Sequence, residues 1–185
     1  MFVWILEYPD DKDWIGVKRR ALITVYGNEK GTGLLAGPSS EWKKKILEAR
    51  HSPIRWLRYS FLFEDIPSNI ATHLCRHVHA QPYVSSLRND RQDTMDGDAA
   101  RRDTPVNMIL DVNAEELMVI ANKRLCNKAA PKTREVVQEM CRLAEDVTPE
   151  LKGLLVPMCD YQGGVCHEMG PCGRKNDVFR SDKGV

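Results

Sequence analysis

Four groups of residues in this sequence have the types and spacing to do chemistry. The first is Arg76-His77-Val78-His79, which runs into Ala80-Gln81-Pro82-Tyr83. A guanidinium supplies a planar fork of donors and an imidazole a switchable one, so this group can hold a phosphate or a flavin ring. It can equally be a solvated helix end, where the helix dipole favours cations. The second group is Ser85, Ser86 and Arg88, two hydroxyls and a guanidinium within four residues. Such a set can grip a nucleotide phosphate, or be a polar loop. The third is Arg124. Leu117, Ile120, Ala121 and Leu125 form the apolar stripe of a helix, and Arg124 falls in or beside it. A charge facing a core needs a partner. That partner is an anionic ligand or a pyrimidine carbonyl, or else a carboxylate of the chain, unless the side chain snorkels to water. The fourth is His51, in Arg50-His51-Ser52-Pro53. It follows a helix and borders any cleft formed with the next strand, and a lone His there can also be structural or solvated.

A fifth cluster lies near the C-terminus. Cys159, Cys166, Cys172 and His167 fall within fourteen residues. Three thiols and an imidazole can complete a tetrahedral zinc site, with the intervening glycines allowing tight turns. No Cys-x-x-Cys pair is present, and the other reading is a tail of free thiols. No metal ligand is assigned.

These groups need elements to position them. Ala21–Tyr26 is rich in β-formers and ends at Gly27-Asn28, which reads as a strand and turn. Gly31–Ser40 reads as a loop. Ser39 or Ser40 can cap a helix over 41–50, with Trp42, Ile46 and Ala49 on one face. Trp56–Glu64 alternates large apolar and other residues, as a strand does. Ser68 can cap a helix that carries Ile70, Leu74 and His77 along one stripe. Residues 89–106 are polar and charged, and read as a mobile loop of lid length. Asn113 can cap a helix over 114–128, with Glu115 and Glu116 in its first turn. Pro131-Lys132-Thr133 reads as a break before a helix over 134–146, and Thr148-Pro149-Glu150 as the start of a short last helix. Strand, helix, strand, then helices is an α+β order without a βαβ repeat.

Composition bounds the partners. The chain has 185 residues, 42% hydrophobic and 29% charged, enough for one ordinary domain with a core. A net charge of +1 gives no electrostatic case for nucleic acid or membrane binding. No apolar run approaches the roughly 20 residues that span a bilayer. Met1–Glu7 has no basic region before its apolar stretch, so it does not read as a signal peptide. Six cysteines without such a signal imply a reducing compartment, and a cytoplasmic location is expected. Cys75 and Cys126, close to the motifs, read as buried thiols and not as nucleophiles.

The order and spacing of these groups resemble the flavin-dependent thymidylate synthases. In that family a His followed by Ser/Thr-Pro precedes a strand. The signature Arg-His-Arg-x-x-Ser follows, then four residues, a Ser, and an Arg two further on. Asn-Ala then leads a helix ending in Leu-Arg. The matching positions here are His51-Ser52-Pro53, Arg76-His77, Ser86, Arg88, Asn113-Ala114 and Arg124, within about residues 51–158. The resemblance implies an α+β domain over 1–158, with a small mixed or antiparallel sheet flanked by helices, and a Cys/Gly-rich tail over 159–185. It implies that Ser52, Arg76, His77 and Asn113 meet FAD, and that His51, a catalytic candidate with Arg124, lies near flavin and folate; His79 is expected to meet FAD as a replacement for a signature contact this chain lacks. It implies that Ser86 and Arg88 hold the deoxyuridylate phosphate, and that Arg124 contacts and polarises the pyrimidine; Gln81 is expected at the substrate as a replacement contact. The implied reaction is methylation of dUMP at C5, with methylenetetrahydrofolate as carbon donor, NADPH as reductant and a homotetramer as the working form.

This chain departs from the signature. Val78 stands where it has its second Arg, Gln81 where it has its first Ser, and Val84 where an acidic residue is frequent. Glu115 takes a position that is often Arg, and Lys128 one that is often His. These departures leave another pyrimidine nucleotide such as dCMP as an expected alternative substrate, and the Cys159–Cys172 tail leaves a non-catalytic, metal-containing interaction module as another expectation.

Overall fold

A computed structural model describes residues 1–27, 36–91 and 99–177. Its centre is the long strand β2 (Arg58–Pro67), where Tyr59, Phe61 and Phe63 turn inward. β2 pairs antiparallel with β1 (Phe2–Glu7) on one side and β4 (Pro105–Asn113) on the other. β3 (Gln81–Val84) adds antiparallel to β4, so the order is β1-β2-β4-β3. Val106, Met108, Leu110 and Val112 of β4 face the same core as the β2 aromatics. Period-2 burial fixes this register, because a one-residue slip would turn every one of these side chains outward.

Helices close the inner face. α3 (Ser68–Cys75) buries Ile70, Ala71 and Leu74. α4 (Ala114–Arg124) buries Leu117, Met118, Ile120 and Ala121, and α5 (Pro131–Val147) buries Val136, Val137, Met140 and Ala144. The α+β domain with a small antiparallel sheet flanked by helices is thus the observed architecture.

Several elements differ from the sequence expectation. Ala21–Tyr26 is not a strand but the last part of α1 (Asp11–Tyr26). Asp10 and Asp13 form a reciprocal capping box at its start, Trp14 and Val17 anchor it to the core, and Gly27 ends it in the left-handed conformation at φ 70°. Docking and caps outweigh the β preference of its last turn. β1, β3 and β4 were missed: β1 and β3 are edge strands, and β4 is entered directly from the polar segment assigned to a loop. Pro105 and Val106 belong to β4, not to that loop. Pro131 starts α5 at its first position and does not break the chain, because an N1 proline loses no hydrogen bond. α4 ends at Arg124 with Leu125 as its cap, short of Lys128. The last short helix is a 3-10 turn over Pro149–Leu151.

α2 (Ser40–Glu48) is capped by Ser39 as expected. The Gly31–Ser40 loop, the polar loop and the C-terminal tail lie partly outside the described residues, as does Asn28. After residue 158 come α6 (Met158–Tyr161) and a parallel pair of β5 (Val165–Cys166) with β6 (Asn176–Asp177). Among the described residues no helix is long and apolar enough to cross a membrane.

Candidate active site

The best-defined polar group lies between the end of α3 and α4. α3 stops at Cys75, and His77 turns inward to only 8% exposure because its N–H bonds back to Leu74. Across from it, Asn113 caps α4 by accepting from the Glu116 N–H at 2.9 Å. That sets Glu116 in the first turn, 4% exposed, with its carboxylate 3.1 Å from His77 Nδ1. Two turns on, Arg124 Nε donates to His77 Nε2 at 3.1 Å and its Nη2 donates to the His73 carbonyl at 2.7 Å. The partner that sequence reasoning demanded for Arg124 is therefore an imidazole and a carbonyl, with a carboxylate behind the imidazole.

Charge follows from this geometry. Burial, and then the Arg124 charge, push His77 down to about 4, so the ring is neutral near pH 7. Burial raises the Glu116 carboxyl, against His79, which lowers it. Burial and the nearby Arg76 lower Arg124. The Arg76 backbone N–H caps α3, while its exposed side chain makes no hydrogen bond or ion pair among the described residues. Two guanidiniums in range of each other, with one buried carboxylate between α3 and α4, leave positive charge that an anion would relieve.

Beside this group is a cavity of about 240 Å³ lined by Arg55, His79, Asn113, Glu115, Glu116 and Val119. Two of the predicted cofactor contacts, His79 and Asn113, thus line one cavity. Arg55 and Glu115 are ion-paired across it.

The other predicted residues lie around it. His51 begins the 3-10 turn Ser52–Trp56, whose first residues are Ser52, exposed, and Pro53, buried. Arg50, just before it, takes φ 47°, a left-handed conformation that costs a non-glycine residue energy. Its guanidinium bonds Asn122 of α4 and lies 4.1 Å over the Tyr161 ring. These contacts hold the segment against α4 and the start of the tail. His51 Nδ1 is buried without a hydrogen-bond partner among the described residues. Ser86 and Arg88 follow β3. Ser86 Oγ accepts from the Arg88 N–H at 3.2 Å, and Arg88 makes a two-pronged pair with Asp90 at 2.8 and 2.7 Å. Their hydrogen bonds do not reach the His77–Arg124 pair. Gln81 is exposed on β3, opposite Asp111. Sequence reasoning missed Glu116, whose only signal was a carboxylate beside an N-cap.

Cys75 is exposed and not buried, because Ile70 and Leu74 take the inner face of α3. Cys126 is half-buried. Together with Cys159, Cys166, Cys172 and His167 it lines a cavity of about 170 Å³ between the end of α4 and the tail. Among the described residues, however, no three His, Cys, Asp or Glu side chains are gathered so as to hold a metal ion.

No protein-family model and no curated protein sequence matches the chain. Solved structures do. Two structures of thymidylate synthase X from Helicobacter pylori, each with FAD and dUMP, align over 77% of this chain and 93% of theirs. Identity is 14% in both, and the TM-scores are 0.61 and 0.58. The UMP/dUMP methylase PolB from Streptomyces cacaoi, bound with 5-Br dUMP, aligns over 83% of this chain and 93% of its own at 14% identity, with a TM-score of 0.64. The chain has the fold of these flavin-dependent thymidylate synthases and of this related methylase.

Proposed function

We propose that this chain is a divergent flavin-dependent synthase that methylates the uracil C5 of dUMP. The observation that carries the reading is Arg124: a half-buried guanidinium on that fold, held from behind by His77 and the His73 carbonyl. Its Nη1 has no hydrogen-bond partner among the described residues. A fixed guanidinium with a free donor suits a pyrimidine carbonyl, because it stabilises the negative charge that develops on oxygen as C5 becomes nucleophilic. Arg88 and Ser86 hold the nucleotide phosphate in this reading, with Arg88 exchanging Asp90 for the ligand, and Gln81 lies alongside.

The residues present fit FAD. His79 and Asn113 line one cavity, the exposed Arg76 side chain has no ion pair among the described residues, Ser52 is an exposed hydroxyl, and the buried His51 Nδ1 has no hydrogen-bond partner among the described residues. Bound FAD, once reduced, supplies the hydride, so the chain needs no catalytic cysteine. His51, Ser52, Arg76, His79 and Asn113 orient the ring and exclude water. His77, with both ring nitrogens engaged, acts from behind Arg124. Methylenetetrahydrofolate is the carbon donor and NADPH the reductant, and the protein works in the cytoplasm.

The working form is a homotetramer. Trp4, Leu62, Ile109 and Tyr83 lie in one cross-strand row on the outer face of the sheet. Trp4 and Tyr83 are exposed there, and Phe2 stacks on Trp4. Such an apolar stripe fits a second copy of the chain.

A second reading keeps the flavin and changes the nucleotide to one such as dCMP. Val78 is 85% exposed and Val84 is exposed, so neither offers the polar contact of the signature. Titrating FAD-loaded protein with dUMP and with dCMP separates the two. Preferential binding of dCMP would displace the first reading.

A further inference from the structure

We propose that Glu116 is a positioning residue for this site: its carboxylate fixes the His77 tautomer, and the lone pair left on Nε2 holds the Arg124 guanidinium. This rests on the reading of Arg124 as the residue that meets the pyrimidine.

The tautomer follows from the partners. Arginine has donors only, so the 3.1 Å contact from Arg124 Nε requires an unprotonated Nε2 on His77. A neutral imidazole then carries its proton on Nδ1, and that N–H donates to Glu116 Oε1 at 3.1 Å. The chain of bonds runs Arg124 to His77 to Glu116, a cation and a carboxylate joined through a neutral ring. All three are held on two elements. Asn113 pins the Glu116 backbone at the start of α4, Arg124 ends the same helix, and His77 ends the α3 turn. Thr133 holds the neighbouring His73 ring at 3.0 Å, and the His73 carbonyl takes the second Arg124 bond.

Without an acceptor at Glu116, the Nδ1–H would be buried and unpaired, which is costly. The ring would relieve this by moving its proton to Nε2. Two donors would then face each other at the Arg124 contact, and the guanidinium would lose its fixed direction. The side chain of residue 116 is thus required to accept a hydrogen bond. A purely structural role would require only that the space be filled.

That difference sets the test. In full-length protein, Glu116→Gln keeps a carbonyl acceptor of the same size, and Glu116→Met keeps the size and removes the acceptor. Nitrogen NMR of histidine-labelled protein reads the tautomer directly and needs no activity. The wild type and Glu116→Gln are expected to show Nδ1–H at His77, and Glu116→Met to show Nε2–H or a mixture. In turnover with dUMP, Glu116→Met is expected to lower kcat about tenfold or more, with KM changed less, and Glu116→Gln to recover most of the loss. A folded Glu116→Met with the wild-type tautomer and wild-type kcat overturns the proposal. So does a wild type that carries its proton on Nε2. Should Glu116→Met fail to fold, a Glu116→Gln protein that has lost the Nδ1–H tautomer overturns it equally. If wild-type protein binds no dUMP, the reading of Arg124 fails instead, and the NMR result still decides whether Glu116 sets the ring.

Discussion

Arg124 donates through Nε to His77 Nε2 across 3.1 Å, and this contact ties the end of α4 to the turn that follows α3. It converts a charge on an otherwise apolar helix face into a fixed donor at the edge of a site. Its consequences are measurable.

Arg124→Lys retains the charge but loses the planar fork that meets His77 Nε2 and the His73 carbonyl together. Turnover of dUMP is expected to fall by about 100-fold, the scale of a lost transition-state donor. Steady-state kinetics on protein verified as folded checks this, and near-wild-type kcat would remove Arg124 from the mechanism.

His77 gives the fold a pH signature. Its folded value is pushed down from 6.5 to about 4, so the unfolded chain binds the proton more readily. Stability from His77 is therefore complete above about pH 6.5 and is lost as pH falls toward about 4. Glu116 works with the opposite sign, since burial raises it: its contribution is lost as pH rises through its folded value. Comparing Tm of wild type and His77→Asn from pH 7 to pH 4 isolates the histidine. The wild type should lose the larger share of its Tm, and parallel curves would contradict the assignment.

Tyr59 is buried at the sheet centre and donates to Thr148 Oγ1 at 3.0 Å. Burial of the phenol pushes its ionisation upward, so it stays neutral throughout the working range. Tyr59→Phe leaves the Thr148 hydroxyl without this partner and should cost about 1–2 kcal/mol in urea unfolding. A change near zero would mean that Thr148 finds another partner.

The outer face of the sheet should carry the assembly. Trp4→Glu places a charge in the row that runs through Leu62, Ile109 and Tyr83. Light scattering is expected to show a tetramer for the wild type and a smaller species for the variant. Equal masses would place the interface elsewhere.

The sequence was legible where a single physical requirement dominates. The alternation in β2, the Ser39 and Asn113 caps and the misplaced charge at Arg124 each demanded what the structure provides. It was misleading where tertiary contacts decide. The β-rich Ala21–Tyr26 is helical because Trp14 and Val17 dock the helix that carries it. The short β3 exists because β4 offers a paired edge. Glu116 could not be read as a partner of His77, because their separation of 39 positions is closed up only by the fold. Arg88 was legible as a phosphate candidate, but its present partner Asp90 was not singled out.

Flavin and nucleotide binding together on this fold can be tested in one experiment. The most direct measurement is the visible absorbance spectrum of purified full-length protein, after incubation with FAD and during titration with dUMP. A yellow protein whose flavin bands shift saturably as dUMP is added is expected. Colourless protein that retains no added FAD would contradict it.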